Sequence, residues 1–281
     1  SLGFTVAGLH YDGMGFAGVA AGTVVAQYSG LLVALSLLLW KYRKNTLATV
    51  TLPELRGLFK GDQTRRFFVM NADLYVRSLC FIAIYIGFTV ISARYGDVLL
   101  AVSSIMMKLL MIFSYFTDGF AYAGEALTGR YIGAKDSLMV RQTVKWTFVW
   151  SMSIALIFMA IYQFAGVPML HMMTSDSVVV EASKEYLPWL LLMPVAGCAA
   201  FTWDGIYIGA TASRQMRNSM LWATVAFAAL WAVGIMILQA AAPASPSYGR
   251  IAMHILMAAY FAHLLARTIY LTVSWRSVRS L

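Results

Sequence analysis

Seven apolar runs, each long enough to cross a bilayer, dominate this sequence of 281 residues. A spanning helix needs about 20 mostly apolar residues. It must also satisfy its own backbone, because the hydrocarbon core offers no water to do so. The runs cover residues 13–40, 67–93, 98–124, 144–165, 186–212, 220–242 and 251–275. Composition points the same way. Charged residues make up 12% of the chain and hydrophobic ones 60%, whereas a soluble domain carries roughly 25% charge. The expected fold class is all-α, a polytopic membrane protein with about seven transmembrane helices.

Against that background, Asp73, Arg77, Lys108, Asp118 and Asp204 stand out, because each falls inside an apolar run. A charge at the bilayer centre costs about 2.5–3.5 kcal/mol even on the lenient insertion scale, so such residues mark a polar pathway by default. Asp73 and Arg77 are four apart and share a helix face. Counted from Arg66 at 1.5 Å per residue, they lie roughly 10 and 16 Å in. Two readings stand for them. One is a structural salt bridge that lets the helix insert. The other is a carboxylate that responds to protons or cations and changes partner between states. Asp118 shares a face with Glu125, which lies near the helix end. Lys108 sits near the middle of its run and is expected to pair with a carboxylate on a neighbouring helix. Asp204 lies in FTWDGIYIGA, after Pro188 and Pro194 in the same run. Pro bends or breaks a helix, and transporters place sites at broken helices. The dipeptide Asp-Gly occurs at Asp118-Gly119 and again at Asp204-Gly205. On the last run, His263 and Arg267 share a face, with His254 further back.

Lys and Arg in the connections set the expected orientation. Alternate connections carry 15 against 3. The 15 include Lys41, Arg43, Lys44, Arg56, Lys60, Arg65 and Arg66 after the first run, then Arg130, Lys135, Arg141 and Lys145, then Arg214 and Arg217. The N-terminus is therefore expected outside and the C-terminus in the cytoplasm. The net charge of +9 reads as headgroup contact and topology rather than nucleic-acid binding, because the cations cluster at the ends of apolar runs. In TLPELRGLFKG, Leu52, Leu55, Leu58 and Phe59 recur at helical spacing, which predicts a short amphipathic helix on the membrane interface. APASPSYG reads as an external turn. Small residues in the first run, among them Gly18, Gly22 and Gly30, suit close helix packing.

Other chemistries find little support. Cys80 and Cys198 lie in apolar runs and read as small hydrophobes. No Cys/His/carboxylate cluster has metal-ligand spacing. There is no phosphate loop for an ATP-driven pump and no zinc-protease helix. A nucleophile elbow is missing too, so no enzyme is expected and no catalytic residue is assigned. No charged segment followed by a short apolar stretch opens the chain, so no signal peptide is expected.

Three stretches carry a resemblance to a known family: AGVAAGTVVAQYSGLL, TDGFAYAGEALTGRYIGAKD and FTWDGIYIGATASRQMRNSM. FFVMNADLYVRSL adds an N-x-D-x-x-x-R pattern. Together they resemble the MATE family of multidrug and toxic-compound exporters, within it the DinF-like branch, over nearly the whole chain. The resemblance implies twelve helices in two six-helix lobes, of which this chain matches helix six and the whole second lobe. The expected domains are 1–45, the last helix of the first lobe; 46–66, the cytoplasmic connection; and 67–281, the second lobe. The odd helix count, the outside N-terminus and the lack of an initial Met then have one explanation, the C-terminal part of a longer protein.

By the same resemblance, the implied function is antiport in the bacterial inner membrane. An inward proton or sodium flux would drive export of organic, often cationic, compounds, with the ion as the only cofactor-like species. Asp73 and Asp204 match acidic second-lobe positions used for cation coupling in some branches. Proton coupling in the DinF-like branch is attributed largely to a carboxylate of the first lobe. Arg77 and Lys108 would be switching partners, and Asn71, Trp203 and Tyr207 would help to line a cavity. The expected partners are membrane lipid, small organic substrates and the first lobe, with no nucleic acid. Two alternatives remain at this point. A lipid-linked glycan flippase of a related superfamily would need more cations deep in its cavity. A seven-helix receptor or retinal protein matches the helix count, but the last run has no Lys for a Schiff base.

Overall fold

The computed structural model describes residues 15–42, 62–241 and 245–278. The predicted amphipathic helix within 46–61 lies outside the described residues, as does part of the predicted turn after the sixth run. Every described segment of regular structure is helical. Among the described residues, seven helices are long and apolar enough to cross a membrane, so the protein is an all-α polytopic membrane protein.

The chain divides into two compact units, Ser1–Arg66 and Phe67–Leu281. In the first, helix α1 spans Gly15–Tyr42. It is free of charge until Lys41, and large apolar side chains such as Tyr28, Leu32 and Trp40 are exposed around it. A helix that is apolar all round belongs in lipid or within a larger bundle.

The second unit is a bundle built on α2 (Asp62–Ala93, from Phe67 on), α3 (Asp97–Gly133), α4 (Ser137–Met173), α5 (Ser177–Lys184), α6 (Leu187–Gly209), α7 (Ser213–Ala241) and α8 (Tyr248–Val278). The helices outrun the hydropathy pattern. α3 and α4 are each 37 residues long, because polar turns at their ends stay helical beyond the apolar core. The connection before the fifth run folds into the short α5, missed from the sequence, and the fifth run itself forms α6. Asp136 caps α4 by accepting from the Met139 N–H, and Asp176 caps α5 by accepting from the Val178 N–H. Such caps satisfy donors that a helix start leaves open. Pro188 occupies the first turn of α6, where its missing N–H costs nothing.

One expectation needs correcting here. α6 runs unbroken through Pro194 to Gly209, so Asp204 sits on a continuous helix rather than at a break. Neighbouring helices can cover the carbonyl that a proline leaves unpaired. α4 likewise continues through Pro168.

α6 is the centre of the bundle. It packs on α3, α4, α7 and α8, and Leu190, Met193, Cys198, Ile206 and Tyr207 are fully enclosed. α3 and α6 approach backbone to backbone. A Cβ on Gly205 would collide with the Ala121 carbonyl, and one on Gly209 with the Glu125 carbonyl. Gly129 in turn faces the Gly209 carbonyl, which would lie 3.3 Å from an added Cβ. The Gly205-x-x-x-Gly209 pattern is what permits this approach.

The C-terminal turns of α3 and α6 are built alike. The Asp136 N–H donates to the Tyr131 carbonyl, and the Ala212 N–H donates to the Tyr207 carbonyl. Lys135 and Thr211 hold the left-handed position, at φ 57° and 54°. The sequence Tyr-Ile-Gly-Ala occurs in both turns, at 131–134 and 207–210. This repeat aligns Gly129 with Gly205 and Thr128 with Asp204. The Asp-Gly at Asp118 is therefore not the counterpart of the one at Asp204.

α2 is held differently. No other helix follows its backbone closely. Side chains tie it instead: Phe88 meets Tyr260 edge to face at 5.7 Å, Tyr95 meets Trp231 at 6.3 Å, and the Ser103 hydroxyl donates to Ser92 at 2.9 Å.

Candidate functional site

The α3–α6 glycine contact sets the level of the charges. Asp204 immediately precedes Gly205, and Asp118 lies one turn before Ala121 on the facing helix. Asp204 Oδ2 accepts from two guanidiniums, Arg77 Nη2 on α2 and Arg267 Nη2 on α8, each at 2.5 Å. The Arg267 side chain is 2% exposed, against 25% for Arg77. A lone buried ion costs several kcal/mol, so this site needs its counter-charges. Two guanidiniums on one carboxylate leave a net positive charge. Asp118, half-buried, lies within electrostatic reach of Asp204.

A second pair lies further along α2. Asp73, 5% exposed, accepts from Arg217 Nη1 at 2.5 Å and from the Ser213 hydroxyl at 3.0 Å. Arg217 also donates to Asn218 Oδ1. The expected bridge between Asp73 and Arg77 on one helix does not form. Each partner instead reaches a different helix, Asp73 to α7 and Arg77 to α6. Both ion pairs therefore tether α2, which no other described helix follows closely.

The remaining expected residues are placed as follows. Lys108 is exposed on α3, and none of the ion pairs among the described residues includes it. Its expected carboxylate partner is not there, because the buried carboxylates are taken by Arg77, Arg217 and Arg267. Asn71 is exposed and donates to the Phe67 carbonyl one turn back, at 2.8 Å. Trp203 and Tyr207 face the interior of the bundle. They are buried between α6 and α8, where Trp203 Nε1 donates to Thr272 Oγ1 at 2.9 Å and the Tyr207 hydroxyl to the Leu271 carbonyl at 2.6 Å. Trp275 and Phe148 pack against Trp203. A buried indole or phenol needs a partner for its polar tip, and here α8 supplies both.

The sequence missed two partners. Arg217 was counted among the cytoplasmic loop charges, but α7 begins at Ser213 and carries it into the bundle. Arg267 had a visible signal, an arginine inside an apolar run on one face with His263. His263 is 1% exposed. One ring nitrogen bonds the Ala223 backbone, and Nδ1 has no partner.

An apolar recess of about 60 Å³ lies between α2, α3, α6 and α8. Phe81, Tyr85, Met107, Met111, Phe201 and Tyr260 are among its walls. Arg267 reaches it through the Phe201 ring, 5.9 Å from the guanidinium carbon. At the far end of the bundle, His254 bridges Trp189 Nε1 (3.0 Å to Nδ1) and Glu185 (3.2 Å from Nε2). Among the described residues, no group of three or more His, Cys, Asp or Glu is placed to hold a metal ion.

The MatE family model matches residues 74–233, more than half of the chain. The chain is also 35% identical over 223 residues to the DNA damage-inducible protein F of Escherichia coli strain K12. That alignment covers 79% of this chain and 47% of the relative, so the chain spans about half the length of the curated relative it matches. No solved structure matches. The match takes in the α2–α7 bundle and every member of the charge network except Asp73 and Arg267; on this ground the chain belongs to the MatE family.

Proposed function

We propose that this chain is one lobe of a secondary antiporter that exports organic, often cationic, compounds in exchange for protons or sodium. The observation that carries the reading is Asp204, a buried carboxylate shared by Arg77 from α2 and Arg267 from α8. A group shared by two helices can release one when it takes up a proton or a cation. Its partners then redistribute, and the helix that loses its tether is free to shift. Asp73 would do the same for the α2–α7 pair. The recess beside Phe201 is too small to hold a drug-like molecule by itself, but it would add an apolar, Met- and aromatic-rich patch to a larger site, and Met adapts to varied shapes. Alternating access would tilt this lobe against a first lobe in the longer protein.

Membership of the MatE family supports a multi-pass protein of the bacterial inner membrane. The excess of Lys and Arg in alternate connections supports an outside N-terminus and a cytoplasmic C-terminus. No cofactor beyond the coupling ion and no enzymatic step are needed.

The test is Asp204→Asn in the longer protein, with efflux of a fluorescent organic cation normalised to the protein present in the membrane. Efflux is expected to fall to the level of cells lacking the transporter. Wild-type efflux per molecule would sink the assignment. Flipping of a labelled lipid-linked sugar by the wild-type protein would favour the flippase reading instead.

A further inference from the structure

The groove between α3 and α4, at the end where the two helices join, has a use that the charge network does not explain. It encloses about 300 Å³ and is lined by Phe120, Leu127 and Tyr131 on α3 and by Gln142, Trp146 and Trp150 on α4, among others. Phe120 to Tyr131 is eleven residues, or roughly 17 Å along the helix axis. The groove therefore runs along the membrane normal, from the helix ends inward.

Its two ends differ in chemistry. The inner end is aromatic, with the Phe120 and Trp150 rings parallel within 6°. From its middle to its outer end the groove is flanked by cations. Arg130 lies over the Tyr131 ring at 5.8 Å, and Lys145 over the Trp146 ring at 5.7 Å. Cation–π contact holds each charge against a ring that lines the groove. Lys135 and Arg141 stand at the same end. Among the described residues, none of these four cations pairs with a carboxylate. Asp136, in the turn between the two helices, is committed to capping α4.

We infer that this groove binds an anionic glycerophospholipid of the bilayer, with its phosphate between Arg130 and Lys145 and an acyl chain along the aromatic wall. An unneutralised basic rim at the membrane surface attracts negative headgroups at about 1 kcal/mol per cation. The apolar slot below it has the direction and length of a lipid tail. A covering protein segment would have to bring its own acidic groups to the same rim.

The test uses the longer protein in detergent, titrated with phosphatidylglycerol or phosphatidylcholine, with lipid adducts read by native mass spectrometry. Wild type is expected to retain phosphatidylglycerol in preference to phosphatidylcholine. The double variant R130Q/K145Q removes two exposed cations and is expected to weaken phosphatidylglycerol about 30-fold. Ala123→Trp fills the groove while keeping every charge, and should also lose the adduct. Arg276→Gln removes a cation at a different helix end and should change nothing. The inference fails if wild type holds both lipids equally, or if Arg276→Gln weakens binding as much as the double variant does. It fails too if phosphatidylglycerol survives R130Q/K145Q or Ala123→Trp, the result expected where a protein segment covers the groove.

Discussion

Arg267 and Arg77 bind the same oxygen of Asp204, but from different environments: the first is enclosed within the bundle and the second is a quarter exposed. Arg77 keeps part of its surface outside the bundle, while Arg267 has only the protein around it. α8 is therefore the fixed side of this junction and α2 the releasable side.

The two arginines should separate in a stability measurement. Either variant leaves Asp204 one guanidinium. Arg267→Leu strips the interior partner and is expected to cost about 3 kcal/mol, in the range seen when a buried pair is broken. Arg77→Leu removes the partly exposed partner and is expected to cost less, about 1 kcal/mol. Denaturant unfolding of the protein in detergent measures both. Equal costs would remove the distinction between a fixed side and a releasable side.

Asp73 and Arg217 should behave as one unit. Asp73→Asn and Arg217→Gln each break the same bond, so the double variant should be less destabilised than the two singles added together. A coupling of about 0.5–3 kcal/mol is typical of residues in direct contact. Ser213→Ala, which removes only the second donor to Asp73, should cost about 1 kcal/mol. Strict additivity would mean that the pair does not tether α2 to α7.

The contrast between what the sequence shows and what it hides has a physical basis here. Spanning helices are legible because a lipid-facing helix must be apolar over its whole length, and hydropathy records that directly. Asp73, Arg77 and Asp204 are legible as special for the same reason, since each violates the rule. Their partners are not. Spacing on one helix suggested Asp73 with Arg77, but pairing depends on which helices pack together, and the backbone contact that fixes it runs through Gly205 and Gly209 on α6. Arg217 was hidden by its position near a helix start, where loop and span cannot be told apart by composition. Trp203 and Tyr207 are aromatic in any cavity or core, and only the hydrogen bonds to Thr272 and Leu271 show which.

The close approach of α3 and α6 predicts a sharp difference between glycines. Gly205→Ala would drive a methyl into the Ala121 carbonyl, forcing the helices that carry Asp118 and Asp204 apart. A destabilisation of about 1–3 kcal/mol is expected from overpacking, together with a loss of transport. Gly119→Ala, on the same helix as Ala121, meets nothing within 4 Å. It should be neutral or slightly stabilising, because Ala is the better helix former. Thermal unfolding and efflux of the two variants check this. A tolerated Gly205→Ala would show that the contact is not tight.

The turn after α6 offers a prediction of opposite sign. Thr211 adopts φ 54°, a left-handed conformation in which a β-branched side chain is strained. Its N–H donates to the Ile208 carbonyl at 2.9 Å, so the turn must hold this geometry to close the helix. Glycine has no Cβ and takes the left-handed region freely, which is why it is the usual residue one position past a helix end. Against that stands the extra freedom that glycine gives the unfolded chain, worth up to about 1 kcal/mol. Relief of about 1–2 kcal/mol of left-handed strain exceeds it. Thr211→Gly should therefore raise the unfolding midpoint of the protein. It should leave efflux intact, since the side chain belongs to neither ion pair. Lys135→Gly, at the matching turn of α3 with φ 57°, should gain less, because lysine is not branched at Cβ. A fall in the midpoint for Thr211→Gly would mean that the threonine side chain makes up its strain elsewhere in the turn.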